Sequence, residues 1–319
     1  MHEGPNGTNG QSEKEYLMRF LIAVLAMAAV VPMASAQTPL STTQPATRPV
    51  DAKDKTSLAW EYVPGQKYTL TQRMTISTRW VLSEDVSLSV QDVDAIELEV
   101  EAFAQDSSGT RIEATIRGAL RQNGEEGKPL AEQNTETSKL MKGLVVKVQQ
   151  DAKGKLTVLQ GMEQYVKKLT VPMTDGERQT LTNQLNRAIA TIIASPRDAL
   201  ADKPVAVGET WEFRSSRNFM IEPSMDVDLG LKCKLKDVRQ DKAGRVAVIE
   251  ISGSGQAAGE GDEGKFGLTG QIVIGLEKGA ILQQTIQATG QGAAQSFTAK
   301  IETVLKQAPA ASQPATQAK

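Results

Sequence analysis

Few side chains in this 319-residue chain are of the types that carry out catalysis near neutral pH. The sequence has a single histidine, His2, and a single cysteine, Cys233. Relays of the Ser-His-Asp or Cys-His type and ordinary zinc sites need a histidine in the folded protein, and His2 lies in a segment that we expect to be removed. Cys233 occupies an apolar position of a predicted strand, which indicates a buried structural thiol. We therefore expect a protein that is not an enzyme, without a metal site or a cofactor.

Three groups of acidic residues could bind a cation, but each has a structural explanation. The glutamates of Glu97–Glu101 alternate with apolar residues and show no cationic partner in the sequence, which favours a solvated strand face. The pairs in Asp92–Asp94 and Asp226–Asp228 could ligate a hard cation, but capping of a turn at the start of a strand also explains them. The stretch 259–264 has the composition of a calcium loop without EF-hand spacing, so it predicts a hairpin tip.

Apolar residues offer a candidate binding surface. Aromatic residues make up only 4% of the chain, so flexible methionines could line a cavity that accepts varied apolar ligands. Methionine is equally a gap filler in ordinary cores, and that alternative stays open. We assign the candidate ligand-binding surface to Met74, Ile76, Trp80, Leu181, Leu185, Ile189, Trp211 and Phe213.

The N-terminus has the pattern of a cleaved secretory signal. Arg19 precedes an apolar run over Phe20–Val31, and Ala34–Ala36 supplies an Ala-x-Ala exit, so residues 1–36 are predicted to be a signal peptide. A membrane anchor is the weaker alternative, because the run is well short of the ~20 apolar residues that span a bilayer. Met18 is a natural alternative start. We expect an exported protein, periplasmic or extracellular, that is not an integral membrane protein after cleavage.

Charge and cysteine content narrow the class of protein further. Nucleic-acid binding needs a basic surface, and the net charge of the chain is −2. We therefore expect no nucleic-acid partner. With one cysteine, an exported chain forms no intramolecular disulfide, so core packing must hold the fold. Stretches rich in Pro, Ala, Thr and Gln predict a disordered linker over 37–56 and a disordered tail over 307–319.

Alternating residues predict long antiparallel strands. Residues 66–80 alternate over fifteen positions, which corresponds to about 50 Å at ~3.3 Å per residue and therefore predicts a bend or bulge. The apolar residues of this strand that share one parity are Tyr68, Leu70, Met74, Ile76 and Trp80. Similar alternation predicts hairpins over 96–116 and 144–158, strands over 229–248 and 272–288, and a last strand over 297–305 that closes the sheet.

A helical connector separates the strands of the two halves. Thr174 and Glu177 form a capping box, and apolar residues from Leu181 to Ile192 follow at helical spacing. Pro196 is expected to end this helix, and a shorter helix is predicted around Tyr165.

The two halves open in the same way, which predicts a tandem repeat. Gly65 precedes Tyr68 by the same spacing that separates Gly208 from Trp211, and the Asp-Val-Asp and turn-glycine positions also correspond. The halves could share one sheet or form two lobes. The predicted units are a β-rich repeat over 57–160, the helical connector over 161–202 and a second β-rich repeat over 203–306.

The strand opening Gly65–Tyr68, the helical middle segment and the stretch Lys203–Trp211 resemble an exported bacterial family of unknown function, numbered 6263. The tails resemble those of planctomycete proteins. The resemblance covers nearly all of 57–306 and implies no catalytic residue, because the family carries no assigned activity. In fold, long curved strands with helices crossing one face are similar to periplasmic lipoprotein carriers of the LolA and LppX kind.

These patterns predict a mainly β fold of the α+β class. We expect a long curved antiparallel sheet or half-barrel, with one or two helices between the repeats packed on one face. We expect a non-catalytic binding protein that holds a lipid or another hydrophobic molecule in the concavity of the sheet. The alternative is a structural or protein-interaction module of the cell envelope without a small-molecule ligand.

Overall fold

The computed structural model describes most of the predicted folded region. The described residues are 55–58, 62–83, 86–106, 109–133, 135–151, 156–170, 172–198, 200–201, 203–219, 225–241, 244–259, 262–277, 282–291 and 295–307. The predicted signal peptide, almost all of the predicted linker and almost all of the predicted tail lie outside them.

The described residues confirm a mainly β fold. The strands are β1 (Lys67–Ser83), β2 (Val86–Asp106), β3 (Gly109–Glu125), β4 (Ala131–Gln133), β5 (Val145–Gln150), β6 (Leu156–Gln160), β7 (Thr210–Phe219), β8 (Met225–Asp241), β9 (Gly244–Gly259), β10 (Asp262–Gly275), β11 (Leu282–Gln291) and β12 (Gln295–Gln307). The helices are α1 (Thr135–Met141), α2 (Glu163–Lys168) and α3 (Asp175–Asp198). Helices α2 and α3 lie between the two halves as predicted, whereas α1 lies within the first half and was not predicted.

The strands form a single open, curved antiparallel sheet. Its order is β6-β5-β3-β2-β1-β12-β11-β10-β9-β8-β7, with β4 paired on β3. The two halves therefore share one sheet, because β12 pairs with both β11 and β1. The prediction that the last strand closes the sheet was wrong, since β12 lies in the middle and its thirteen-residue register with β1 joins the halves.

Strand β1 shows why the alternation was a reliable signal. Tyr68, Leu70 and Met74 are buried, while Thr71 and Arg73 on the other parity are exposed. The strand is 17 residues long, and the expected irregularity is a register shift against β2 at its C-terminal end. Burial of one face and hydration of the other fix the register, because a slip of one residue would exchange the two faces.

We call the buried side of the sheet its inner face. Apolar residues of this face from both halves join one core with the helices, for example Leu98 on β2 and Leu235 on β8. Helix α3 contributes Leu185 and Ile189, which are at most 1% exposed. One buried core of this extent supplies the stability that no disulfide provides.

Helix α3 begins as the sequence predicts. The Thr174 N–H donates to Glu177 Oε2 at 2.6 Å, and the Glu177 N–H donates to Thr174 Oγ1 at 3.3 Å, which is a complete capping box. The helix continues to Asp198, so the prediction that Pro196 ends it was wrong. Tyr62 fixes the far part of the helix, because its hydroxyl donates to the Ile193 carbonyl at 3.1 Å.

The two turns that open the halves have the same backbone geometry. Gly65 and Gly208 have φ values of 80° and 90°, a conformation that glycine adopts without strain. Gly65 N–H donates to the Ala102 carbonyl at 2.8 Å, and Gly208 N–H donates to the Leu235 carbonyl at 2.7 Å. The turns are thus built alike, while duplication of the whole half stays a prediction.

The outer face is polar, and several of its charges form ion pairs. Arg117 Nε donates to Glu99 Oε2 at 3.1 Å, and Lys67 Nζ lies 3.1 Å from Glu101 Oε2. Glu97 is exposed. The predicted solvated face is present, but the expectation that its glutamates have no cationic partner was wrong, because the partners come from neighbouring strands.

Candidate functional site

The inner face changes from buried to exposed along β1 and β2. On β2, Asp94 is 1% exposed, Val90 is partly exposed, and Leu88 is 46% exposed, although all three share one parity and therefore one face. On β1, Met74 is fully buried and Ile76 is partly exposed. On these two strands the core thus ends near Met74 and Asp94, and the inner face continues beyond it.

The exposed part of this face is contiguous. Ile76 pairs with Asp92, and Thr78 pairs with Val90, so side chains on the two strands lie beside one another. We define the open end of the inner face by its members Ile76, Thr78, Leu88 and Val90. A single exposed leucine is normal on a protein surface, whereas adjacent apolar side chains on one sheet face can form a binding surface.

Most sequence-predicted binding residues with described side chains lie in the core rather than at the open end. Met74, Leu185 and Ile189 are at most 1% exposed, and Leu181 is 8% exposed. Ile76 belongs to the open end, where it retains partial exposure. Trp80 and Phe213 lie in β1 and β7, and their side chains fall outside the described part of the structure.

The register places Met74 and Trp211 in one row across the sheet. The directly paired positions of this row are Arg121, Asp94, Met74, Ile301, Ile286, Gly270, Ile251, Cys233 and Trp211. At ~4.8 Å per strand, Met74 and Trp211 are roughly 29 Å apart along the sheet, so the row does not bring them together. Trp211 packs against the core.

A buried group of charges marks the border between the core and the open end. Arg121 on β3 is 7% exposed and pairs directly with Asp94 on β2. Arg121 Nε lies 3.9 Å from Asp94 Oδ1, and Arg121 Nη2 lies 3.7 Å from Asp92 Oδ1. Among the described residues, Arg121 Nη1 and Asp94 Oδ1 are buried without a hydrogen-bond partner. Such groups normally find partners, so this site has unmet hydrogen-bonding capacity.

Burial dominates the electrostatics of Asp94. Desolvation raises the pKa of the Asp94 carboxyl from 3.8 to about 7; Arg121 opposes this rise and Asp92 adds to it. A carboxyl that titrates near neutral pH inside a protein is a candidate functional group, although structural charge clusters show the same behaviour.

A second buried polar contact lies one row further into the core. Gln72 on β1 donates from Nε2 to Thr303 Oγ1 on β12 at 3.0 Å, while Gln72 Oε1 is buried and has no partner within the described ranges. Both residues are at most 2% exposed. They stand at apolar-parity positions, and their hydrogen bond offsets part of the cost of burial.

The outer face carries a separate, polar groove across β7 to β10. Its volume is about 570 Å³. Its lining residues are Gly208, Thr210, Lys232, Lys234, Glu250, Ile251, Ser252, Thr269 and Gly270. The exposed lysines and hydroxyls suit a hydrated polar partner rather than an apolar ligand.

The structure corrects the interpretation of the Asp-Val-Asp pair at Asp92–Asp94. These residues lie within β2, not at its start, so turn capping was the wrong explanation. Asp94 shares the parity of Ile96 and Leu98, and an acidic residue at an apolar position was the signal that could have identified it. Across the described residues, no group of His, Cys, Asp and Glu side chains is arranged to hold a metal ion. Likewise, no described helix is long and apolar enough to cross a membrane.

Comparisons with known proteins leave the chain without a family. No family model matches it, and no curated protein matches it. A lipovitellin structure, described as showing lipid–protein interactions, is 10% identical in sequence, with a TM-score of 0.31. The match covers 81% of this chain and 27% of the lipovitellin chain. The structure of DynF from the dynemicin biosynthesis pathway of Micromonospora chersina is 6% identical in sequence, with a TM-score of 0.21. The match covers 82% of this chain and 92% of DynF. At these TM-scores neither likeness supports an argument about ligand or function.

Proposed function

We propose that this protein is an exported, non-catalytic binding protein that holds a hydrophobic or amphipathic small molecule against the inner face of its sheet. The observation that supports it is the continuation of the inner face beyond the core, from buried Asp94 to Leu88 at 46% exposure. Export rests on the sequence pattern of residues 1–36, and membership of family 6263 stays a prediction.

The open end suits a small apolar group. Ile76, Val90 and Leu88 provide adjacent apolar side chains, and burying them against a ligand contributes roughly 25 cal/mol per Å² of apolar surface. The occupant we propose is therefore a molecule with an apolar tail.

The chemistry of Cys233 fits a binding role better than a catalytic one. Desolvation raises the pKa of the Cys233 thiol to about 12, and the residue is fully buried. The thiolate, which is the nucleophile, is therefore scarce at neutral pH. We assign this cysteine to the core.

Titration with N-phenyl-1-naphthylamine tests the proposal, because this uncharged dye fluoresces strongly only in apolar surroundings. We expect a saturable rise in fluorescence with the purified protein. A linear, non-saturable signal from protein with native circular dichroism would contradict the proposed function. Denaturing extraction followed by refolding, checked by circular dichroism, removes any resident ligand that blocks the site.

The outer groove favours a second candidate function, an interaction module of the envelope. Lys232 and Lys234 project from β8 on the exposed side, and Glu250 lies on the adjacent strand. If this groove binds an acidic partner, Lys232→Ala and Lys234→Ala would weaken that binding and leave dye binding unchanged. If these variants lost dye binding, the outer groove and the open end of the inner face would not be independent binding surfaces.

A further inference from the structure

We propose that Arg121 and Asp94 bind the uncharged, hydroxyl-bearing head group of an amphipathic molecule whose apolar part lies along the open end. This inference rests on the proposed function and names the class of its ligand. Alkan-1-ols and monoacylglycerols have the chemistry in question.

The contacts of Arg121 with the two carboxylates are long. Its distances of 3.7 Å and 3.9 Å to the two carboxylates exceed the 2.7–3.2 Å of a good N–H···O hydrogen bond. Nη1 is buried and has no partner in the part of the chain that the structure describes, and a guanidinium cannot relieve this by losing its proton. Leaving a buried donor unsatisfied costs about 1–3 kcal/mol, and more for a charged group.

Asp94 adds the complementary requirement. Its Oδ1, on the strand next to Arg121, is buried and receives no hydrogen bond from any described residue. The site thus has one N–H donor and one oxygen that accepts a hydrogen bond from a ligand. A hydroxyl can accept a hydrogen bond from a guanidinium N–H and donate one to a carboxyl oxygen, so its chemistry matches both groups.

The charges of the cluster favour an uncharged head. When Asp94 is protonated, the positive charge of Arg121 and the negative charge of Asp92 cancel. The residue that pairs with Asp94 on β1 is the uncharged Met74. An anionic head would bring an uncompensated charge into a buried site, which is costly. A cationic head would be repelled by Arg121 and would leave its Nη1 without an acceptor.

The position of the cluster sets the direction of the ligand. Asp94 and Leu88 are six residues apart on one face of β2, which is about 20 Å at ~3.4 Å per residue. Asp92 and Val90 lie between them on the same face; Asp92 pairs with Ile76 and Val90 pairs with Thr78 on β1. The head therefore lies at the inner limit of the open end, and the tail extends towards Leu88.

Three amphiphiles with the same tail test the inference: dodecan-1-ol, dodecane-1-sulfonate and dodecylammonium. Each amphiphile is titrated against the complex of the protein with N-phenyl-1-naphthylamine, and displacement of the dye is measured. The titration is run at about pH 6, where Asp94 is protonated. We expect dodecan-1-ol to bind at least tenfold more tightly than either charged amphiphile. Equal affinities, or a preference for a charged head, would overturn the head-group inference and leave the proposed function standing. If the dye itself does not bind, the proposed function fails.

Substitution of Arg121 tests whether the preference for dodecan-1-ol depends on the buried charged cluster. Arg121→Met removes the donor while keeping an unbranched side chain, and we expect it to reduce the preference for dodecan-1-ol at least tenfold. The matched control is Arg117→Met, which makes the same change on the outer face of β3. An unchanged preference in Arg121→Met contradicts the inference.

A wild-type measurement keeps the inference falsifiable if Arg121→Met does not fold. Raising the pH to about 8.5 ionises Asp94, so dodecylammonium should gain affinity relative to dodecan-1-ol. The Asp94→Asn variant should lack this change with pH. The same change in the Asp94→Asn variant, or none in the wild type, contradicts a role for Asp94.

Discussion

Arg121 and Asp94 pair directly across β3 and β2 and are both buried, yet 3.9 Å separates Arg121 Nε from Asp94 Oδ1. A buried ion pair stabilises a protein when its geometry is good and its remaining donors and acceptors are satisfied. This pair meets neither condition. It also lies where the core on β1 and β2 gives way to partly exposed apolar side chains, which is the position that the proposed ligand site requires.

The first prediction concerns pH and Asp94. The unfolded carboxyl loses its proton near pH 3.8, whereas the folded one keeps it until about pH 7, so the folded state binds more protons in this window. The contribution to stability is full below about pH 4 and is lost as pH rises to about 7. It amounts to about 4 kcal/mol, because each pKa unit corresponds to about 1.36 kcal/mol.

Urea unfolding across this pH range tests it. The free energy of unfolding of Asp94→Asn should rise relative to the wild type between about pH 4 and pH 8. Glu97→Gln, on the outer face of the same strand, is the control. Parallel pH profiles for the wild type and Asp94→Asn would show that burial of Asp94 has no such effect.

The second prediction concerns the open end. Leu88→Asp places a charge beneath the apolar part of the ligand, and we expect affinity for N-phenyl-1-naphthylamine to fall at least tenfold, or about 1.4 kcal/mol. Both Leu88 and Leu159 are exposed, at 46% and 57%, so neither change should greatly affect folding. Leu159→Asp on β6 is the matched control and should bind the dye as the wild type does. Equal affinities of the two variants would remove Leu88 from the site.

The third prediction concerns the contact between α3 and the chain before α2. An added Cβ at Gly161 would lie 1.8 Å from Asn186 Oδ1, which accepts a hydrogen bond from the Met162 N–H at 2.7 Å. Gly161→Ala should therefore displace Asn186 and destabilise the protein by about 2–4 kcal/mol. Gly118→Ala, where the added Cβ meets nothing within 4 Å, should change stability by less than about 1 kcal/mol. Similar urea midpoints for the two variants would refute the close packing at Gly161.

The fourth prediction separates the helix from the ligand site. Ile189 is fully buried, so Ile189→Ala should lower the free energy of unfolding by about 2–5 kcal/mol. Asn183→Ala, on the exposed side of α3, should have a small effect. Because we place the ligand at the open end, folded Ile189→Ala should retain dye affinity. Selective loss of binding without loss of stability would instead place Ile189 in the site, as the sequence suggested.

The fifth prediction concerns Cys233. Its thiol is buried and its pKa is raised to about 12, so alkylation by iodoacetamide should be very slow in the native protein and fast in urea. Mass spectrometry of the alkylated protein measures both rates. Rapid native labelling would contradict the burial of this strand position.

The sequence predicted the fold better than the site because alternation is local and the site is not. The parity of Tyr68, Leu70 and Met74 identifies β1 without knowledge of its neighbours. The pairing of Asp94 with Arg121 depends on the β2–β3 register, which shifts between Glu97 and Leu98. No pattern within one strand reports that shift.

The same reason explains the place of β12. Its alternation marked it as a strand, but only long-range pairing with β1 puts it at the centre of the sheet. Because β12 is the last strand in the sequence, we expected it at an edge of the sheet. Likewise, apolar spacing identified Leu185 and Ile189 correctly as one helix face, but it could not distinguish a core-forming face from a ligand-lining one.

Native mass spectrometry followed by organic extraction tests the central claim most directly. The protein would be purified from the periplasm of an expression host under gentle conditions. We predict an additional lipid-sized mass on the folded protein, and an extract that contains an uncharged, hydroxyl-bearing amphiphile. A clean apo mass, together with no saturable binding of N-phenyl-1-naphthylamine, would contradict the account and favour the envelope interaction module.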